Sequence, residues 1–292
     1  MPSHSDLTAD KIFPMASSNP AFNRSPAFST NRDVAAKLSA NVSPPVSSAG
    51  MTAAQLTELY SVPSATPSDT DRMTYEDTMV KIIASFAILL VGAAVGWFVP
   101  ILAIPAAIAG FVLALVNIFK KKPSPALVLS YAAVEGIFIG AITMFFESKA
   151  PGIAVQAVLG TLVVIGVTFA LFASGKIRAS KKATKVFLIA MIGYGVFSVI
   201  NLILMATGAN TDAFGLRSAP IGILGGLPFG VVLGVLVIIM AAYSLVLDFD
   251  SIQTGVTRGA PRVYGWTAAF GIMVTVVWLY LEILRMLALL RR

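Results

Sequence analysis

The chain has 292 residues, of which 57% are hydrophobic and only 12% charged. Soluble domains carry about 25% charged residues, so the composition reads as a polytopic membrane protein and not as one or two water-soluble domains. Cysteine is absent and the one histidine is His4, which excludes disulfides, thiol catalysis and Cys-ligated metals and leaves no basis for a His-centred metal site or triad.

The net charge of +7 is not a nucleic-acid signal, because the basic residues sit in short loops between apolar runs, where membrane topology accounts for them. Residues 1–75 are rich in Ser, Thr, Ala, Pro and Asn, with no sustained apolar period, and read as a disordered polar tail. No apolar signal-peptide core follows the N-terminus, so the first span is expected to direct insertion. Residues 76–292 form the second unit, a transmembrane domain.

A bilayer core of about 30 Å takes about 20 helical residues. From Ile82 to Phe119 there is no charge. One helix over that run would be roughly 57 Å long, so it must turn, and Gly96, Pro100 and Pro105 supply the break. The first two spans fall near 79–98 and 101–119. Three more follow at about 125–146, 152–174 and 184–207. The sixth begins near Ile221, is interrupted by Gly225, Gly226 and Pro228, and reaches about 247 or somewhat beyond. The seventh covers about 264–290. Pro123, Pro125 and Pro151 sit where the third and fourth spans start, a position proline tolerates. Six spans plus a re-entrant segment is the alternative count. Gly92-x-x-x-Gly96, Gly136-x-x-x-Gly140 and Gly230-x-x-x-Gly234 line small residues on one face each. Tight packing within one bundle is the ordinary reading of such motifs, and dimerisation the other.

Ten Lys and Arg residues (Lys120, Lys121, Lys122, Lys176, Arg178, Lys181, Lys182, Lys185, Arg258 and Arg262) fall on one side. Four (Lys149, Arg217, Arg291 and Arg292) fall on the other. The first side is therefore expected in the cytoplasm, with the tail.

Charged groups inside spans carry the functional signal, since each costs roughly 2.5–3.5 kcal/mol at a helix centre. Glu282 lies in the run Thr275-Val-Val-Trp-Leu-Tyr-Leu-Glu-Ile-Leu-Arg-Met-Leu-Ala-Leu-Leu290, with Arg285 three residues on and within ion-pair reach. Glu135 lies about ten residues into the third span, near mid-depth, with Tyr131 one turn earlier and placed to hydrogen-bond it. Asp248 and Asp250 point about 200° apart on a helix, so an undistorted helix turns only one into a given cavity. Gln253 shares the face of Asp250. Carboxylates that meet inside a bundle share a proton and, when ionised, form a hard-oxygen site for Ca²⁺ or a similar cation. Each also has a plainer reading: a Glu282–Arg285 structural pair, headgroup-level aspartates, or a Glu135 tied to Tyr131.

These residues resemble the Bax inhibitor-1 (transmembrane Bax-inhibitor-motif) family in its bacterial, actinobacterial-like branch. The resemblance covers about residues 74–292, and Met15-Ala-Ser-Ser-Asn-Pro-Ala-Phe-Asn-Arg24 resembles that branch's N-terminal start, which makes Met1 or Met15 the initiator. Leu247-Asp-Phe-Asp-Ser-Ile-Gln-Thr-Gly-Val256 is similar to the family's Tyr-Asp-Thr-Gln signature, with Asp250 in place of its aspartate and Gln253 one position late. Trp278-Leu-Tyr-Leu-Glu-Ile-Leu is similar to its Leu-Tyr-Leu-Asp-Phe pattern, with Glu282 in place of the aspartate.

The resemblance implies an all-α seven-helix bundle with the last helix central. It further implies a pH-sensitive Ca²⁺ leak channel in which Asp250 and Glu282 form the pH-sensing pair and the cation ligands. Glu135, Asp248, Arg285, Tyr131 and Gln253 are accessory candidates. The 32-residue spacing from Asp250 to Glu282 exceeds the family spacing, and Glu135 is the next partner for Glu282 if the two do not meet. A non-conducting scaffold or regulator of membrane proteins and a proton-coupled transporter are the competing classes. No enzymatic activity and no cofactor beyond Ca²⁺ as the transported ion are expected. The expected partners are the lipid bilayer and cations, and the expected location is the plasma membrane with the N-terminus cytoplasmic.

Overall fold

The computed structural model describes residues 71–222 and 225–291. The expected disordered tail lies outside the described residues except for its last few. Among the described residues, seven helices are long and apolar enough to cross a membrane. Their α-helical parts are α1 (Tyr75–Phe98), α2 (Ala103–Phe119), α3 (Pro125–Lys149), α4 (Ile153–Ala173), α5 (Lys181–Ala206), α6 (Phe229–Thr257) and α7 (Gly265–Leu290), the second and seventh spans beginning with 3₁₀ turns at Pro100 and Arg262.

Local chemistry sets their ends. Thr74 caps α1 by accepting from the Asp77 amide at 3.1 Å, and Glu76 and Asp77 place negative charge on its first turn. Val99 and a 3₁₀ turn over Pro100–Leu102 break the long uncharged run into α1 and α2, as Pro100 predicts. Gly152, at φ +81°, turns the chain into α4, while Glu147 accepts from the amides of Gly152 (2.6 Å) and Ala154 (2.9 Å).

The sixth span differs from its expected start. The described residues here form no α-helix: Pro220–Ile221 pairs antiparallel with Leu227–Pro228 in a short ribbon. Helix α6 begins only at Phe229, after Pro228 in an extended conformation. Proline lacks the amide that a helix interior needs, so the Gly225–Pro228 interruption ends a loop instead of kinking a span. No re-entrant helix replaces a crossing among the described residues.

Helix α7 is central. It packs against α1, α3, α4 and α6, and Met273, Leu279 and Leu284 on it are fully buried. Peripheral α2 and α5 instead expose large apolar side chains, such as Ile104, Phe111, Ile192 and Leu202, as a lipid-facing surface requires.

The glycine motifs act within the bundle. Gly92 and Gly96 of α1 sit against the backbone of Ala133 and Ile137, and Gly136 and Gly140 of α3 sit against Leu89 and Ala93. Two parallel helices therefore touch backbone to backbone. Gly230 and Gly234 of α6 make room for Leu289 and Met286 of α7, which fixes the α6–α7 register.

The start of α1 is tied to the α6–α7 connection. Met73 donates to the Ala260 carbonyl at 2.7 Å and Arg262 to that of Asp71 at 2.8 Å. Asp77 pairs with Lys81 and accepts from Arg262 Nε at 2.8 Å, and Lys81 Nζ also donates to the Arg262 carbonyl at 2.6 Å. Lys81 is mostly buried, so its charge depends on Asp77. Asp77→Ala is expected to destabilise the bundle by about 2 kcal/mol, a fall of roughly 4–8 °C in a thermal melt in detergent. Exposed Glu76→Ala, the neighbouring control, should leave the melt unchanged.

Candidate functional site

Helices α6 and α7 run antiparallel, and one face of α6 carries Gly230, Gly234, Val237, Ala241, Leu245, Asp248 and Ile252 into the interface. The periodicity that buries these residues also buries Asp248, which has no exposed surface. Thr275 of α7 donates its hydroxyl to Asp248 Oδ2 at 2.7 Å, and Ser244 Oγ lies 3.4 Å from the same hydroxyl. Thr275 is itself buried. A carboxylate, two hydroxyls and their two helices thus form a polar seam inside an apolar bundle, at about mid-depth.

Asp250 points elsewhere. Two residues after Asp248 it turns about 200° away, and it is only partly buried. Phe249 between them packs its ring against Phe169 and Phe172 of α4. The neighbours of Asp250 belong to the α4–α5 connection: Arg178 acts on it electrostatically, and Arg178 Nη1 donates to Gln253 Oε1 at 2.7 Å.

The expected Asp250–Glu282 pair is not formed. With Asp248 opposite Thr275 and Gly234 opposite Met286, Asp250 lies level with the first half of α7. Glu282 is some nine to twelve residues further on, roughly 15 Å along the helix. At that separation no direct hydrogen bond joins the two carboxyl groups. Among the described residues no group of three His, Cys, Asp or Glu side chains is placed to hold a metal ion. The long spacing in the sequence has this physical cause: the connection and the first half of α7 separate the two carboxylates.

Glu282 is buried in a different group. It is ion-paired with Arg285, and Tyr194 of α5 donates its hydroxyl to Glu282 Oε2 at 2.9 Å. The same hydroxyl accepts from Arg285 Nη2 at 2.9 Å and from Arg217 Nη2 at 3.2 Å. Arg217 Nη2 also donates to Ser198 Oγ at 2.9 Å. Glu282 and Arg285 lie on α7, Tyr194 and Ser198 on α5, and Arg217 on the short 3₁₀ turn Gly215–Ser218 of the α5–α6 connection. Asn201 holds that turn against α5, accepting from the Leu216 amide at 2.7 Å and donating to the Phe214 carbonyl at 3.3 Å. By sequence Arg217 belongs to an exposed loop, yet it is 5% exposed.

Glu135 is at the depth of Asp248 but on the other side of α3. It faces α2, where a Cβ on Gly110 would lie 2.8 Å from Glu135 Oε2. Tyr131 packs edge-on against Phe270 of α7, with ring centres 5.1 Å apart. Among the described residues no hydrogen bond joins it to Glu135, because burial against α7 turns its ring away. Glu135 is therefore not the partner of Glu282 either.

The three intramembrane acids thus occupy separate interfaces: Asp248 between α6 and α7, Glu282 between α5 and α7, and Glu135 between α2 and α3. Tyr194, Ser198, Arg217, Ser244 and Thr275 join the list of polar residues that surround them. A tyrosine between two glycines in mid-span, Gly193-Tyr194-Gly195, is the one sequence signal among these.

Over residues 19–292 the chain matches the family model described as Bax inhibitor 1 like. No curated protein matches it.

Proposed function

The chain belongs to the Bax inhibitor 1-like family, and on that premise we propose that it is a pH-regulated cation leak channel, with Ca²⁺ as the cation and the α6–α7 seam as its regulated element. The observation that carries this reading is the full burial of a carboxyl group, Asp248, at mid-bundle in the α6–α7 interface, where it accepts from the Thr275 hydroxyl with Ser244 beside it. A charge in that place is expensive and marks an ion or proton path by default. Glu282, by contrast, is already held by Arg285 and Tyr194, a geometry that suits a fixed structural charge better than a titrating sensor. The gating role that the family resemblance gives to Asp250 passes in this reading to Asp248, two residues earlier and turned into the α6–α7 seam.

The sign of the pH effect follows from competition. Ionised Asp248 attracts a cation into the seam, whereas a proton on it removes that attraction and leaves a neutral, closed interface. Flux therefore rises with pH. The membrane is the plasma membrane, and the side carrying Lys120–Lys122 and Arg258 faces the cytoplasm together with the N-terminal tail.

Reconstitution into liposomes loaded with a Ca²⁺ indicator tests the reading. Flux above that of empty liposomes, increasing as the pH is raised, is the expected outcome. Flux equal to that of empty liposomes at every pH ends the channel reading and leaves the scaffold reading.

A further inference from the structure

The group around Tyr194 contains two guanidinium groups, Arg217 and Arg285, and one carboxylate, Glu282. It therefore carries one positive charge in excess. The Nε of Arg217 is buried and has no hydrogen-bond partner among the described residues. Its other contacts leave it little else to bond. The rings of Tyr194 and Phe197 lie 5.4 and 5.5 Å from the guanidinium carbon and cover its faces, while Nη2 is used by Tyr194 and Ser198. The Tyr194 hydroxyl already accepts from both arginines and donates to Glu282.

We propose that this cluster is a binding site for a small monovalent anion, of the size and charge of chloride, seated against Arg217 Nε. A buried N–H needs an acceptor, and a buried uncompensated charge needs a counter-charge. One anion supplies both, whereas a water molecule supplies only the first. The site is built and not incidental. The turn that carries Arg217 is clamped by both ends of the Asn201 amide, and Gly230 leaves space for the Arg217 backbone against α6. With Arg217 5% exposed, a monatomic anion is the counter-charge that demands least room there, and the phosphate of a lipid headgroup demands far more. The anion would hold the α5–α6 connection to α7, independently of any cation flux through the α6–α7 seam.

Thermal unfolding of the full chain in detergent, in sodium chloride and in sodium gluconate of equal ionic strength, tests the site. Chloride is expected to raise Tm by about 3 °C or more at saturating concentration, and the difference should vanish in Arg217→Gln. Wild-type crystals grown in sodium bromide give a second reading that does not depend on the folding of that variant: an anomalous peak within roughly 3.5 Å of Arg217 Nε. Equal melting in both salts with no bromide peak overturns the proposal and leaves water as the acceptor. A chloride effect that persists in folded Arg217→Gln, or a bromide peak only elsewhere, also overturns it.

Discussion

Glu282→Gln is expected to destabilise the protein by about 3–5 kcal/mol, a fall of roughly 10 °C or more in its melting temperature. The substitution preserves shape and one acceptor, so the loss is electrostatic: it leaves Arg285 and Arg217 together in the bundle without their carboxylate. Removing the second charge should reverse much of this. The double variant Glu282→Gln with Arg285→Met should recover at least about half of the lost stability, since breaking a buried pair costs more than replacing both partners. Circular dichroism melts of the single and double variants in the same detergent measure it. A Glu282→Gln protein as stable as wild type but altered in its flux would make Glu282 a sensor and not a clasp.

Gly140→Leu is the second large effect. Any Cβ at residue 140 collides with the Ala93 carbonyl, and at Gly96 with that of Ile137. These are backbone groups of a neighbouring helix, which cannot swing aside as a side chain can. Helix α1 must then separate from α3, and over-packing of this kind costs upwards of about 3 kcal/mol. Size-exclusion chromatography should show loss of the monodisperse peak for Gly140→Leu and Gly96→Leu. Gly166→Ala and Gly193→Ala, whose added Cβ would meet nothing within 4 Å, should elute and melt as wild type. A change of oligomeric state in the Gly140 variant without loss of stability would instead make the motif a dimer face.

Much of the architecture is legible along the chain. Hydrophobic runs of bilayer length, broken at Pro100 and bounded by Lys120–Lys122, Pro151 and the cluster Lys176–Lys185, place five spans within a few residues of α1 to α5. The apolar run that ends at Leu290 places α7 as well. The start of α6 is less legible, because the residues from Ile221 on are as apolar as a span; only the pairing of Pro220–Ile221 with Leu227–Pro228 keeps those four residues out of the helix. The glycine spacing gives close packing but not the partner, which is a matter of how α1 and α3 cross.

The site is harder to read for a geometrical reason. Helical spacing states that Asp248 and Asp250 cannot both face inward, but not which one does. That is decided by Gly230, Gly234 and Ala241, which put the Asp248 face of α6 against α7. The local Glu282–Arg285 pair needs only three-residue spacing and is legible as one of two readings. Its extension to Tyr194 and Arg217 depends on a connection folding back into the bundle. Charge counting in loops assigns Arg217 to the surface and has no means of foreseeing this.

The most direct measurement is the pH profile of Ca²⁺ flux in liposomes for wild type, Asp248→Asn and Asp250→Asn, with equal protein incorporation. Wild-type flux should rise with pH. Asp248→Asn should remove that dependence and lower flux by about tenfold at the alkaline end, a change of roughly 1.4 kcal/mol in the barrier. Asp250→Asn, outside the seam, should keep the wild-type slope. Retention of that slope in Asp248→Asn, or its loss in Asp250→Asn alone, would contradict the assignment of the α6–α7 seam as the gate.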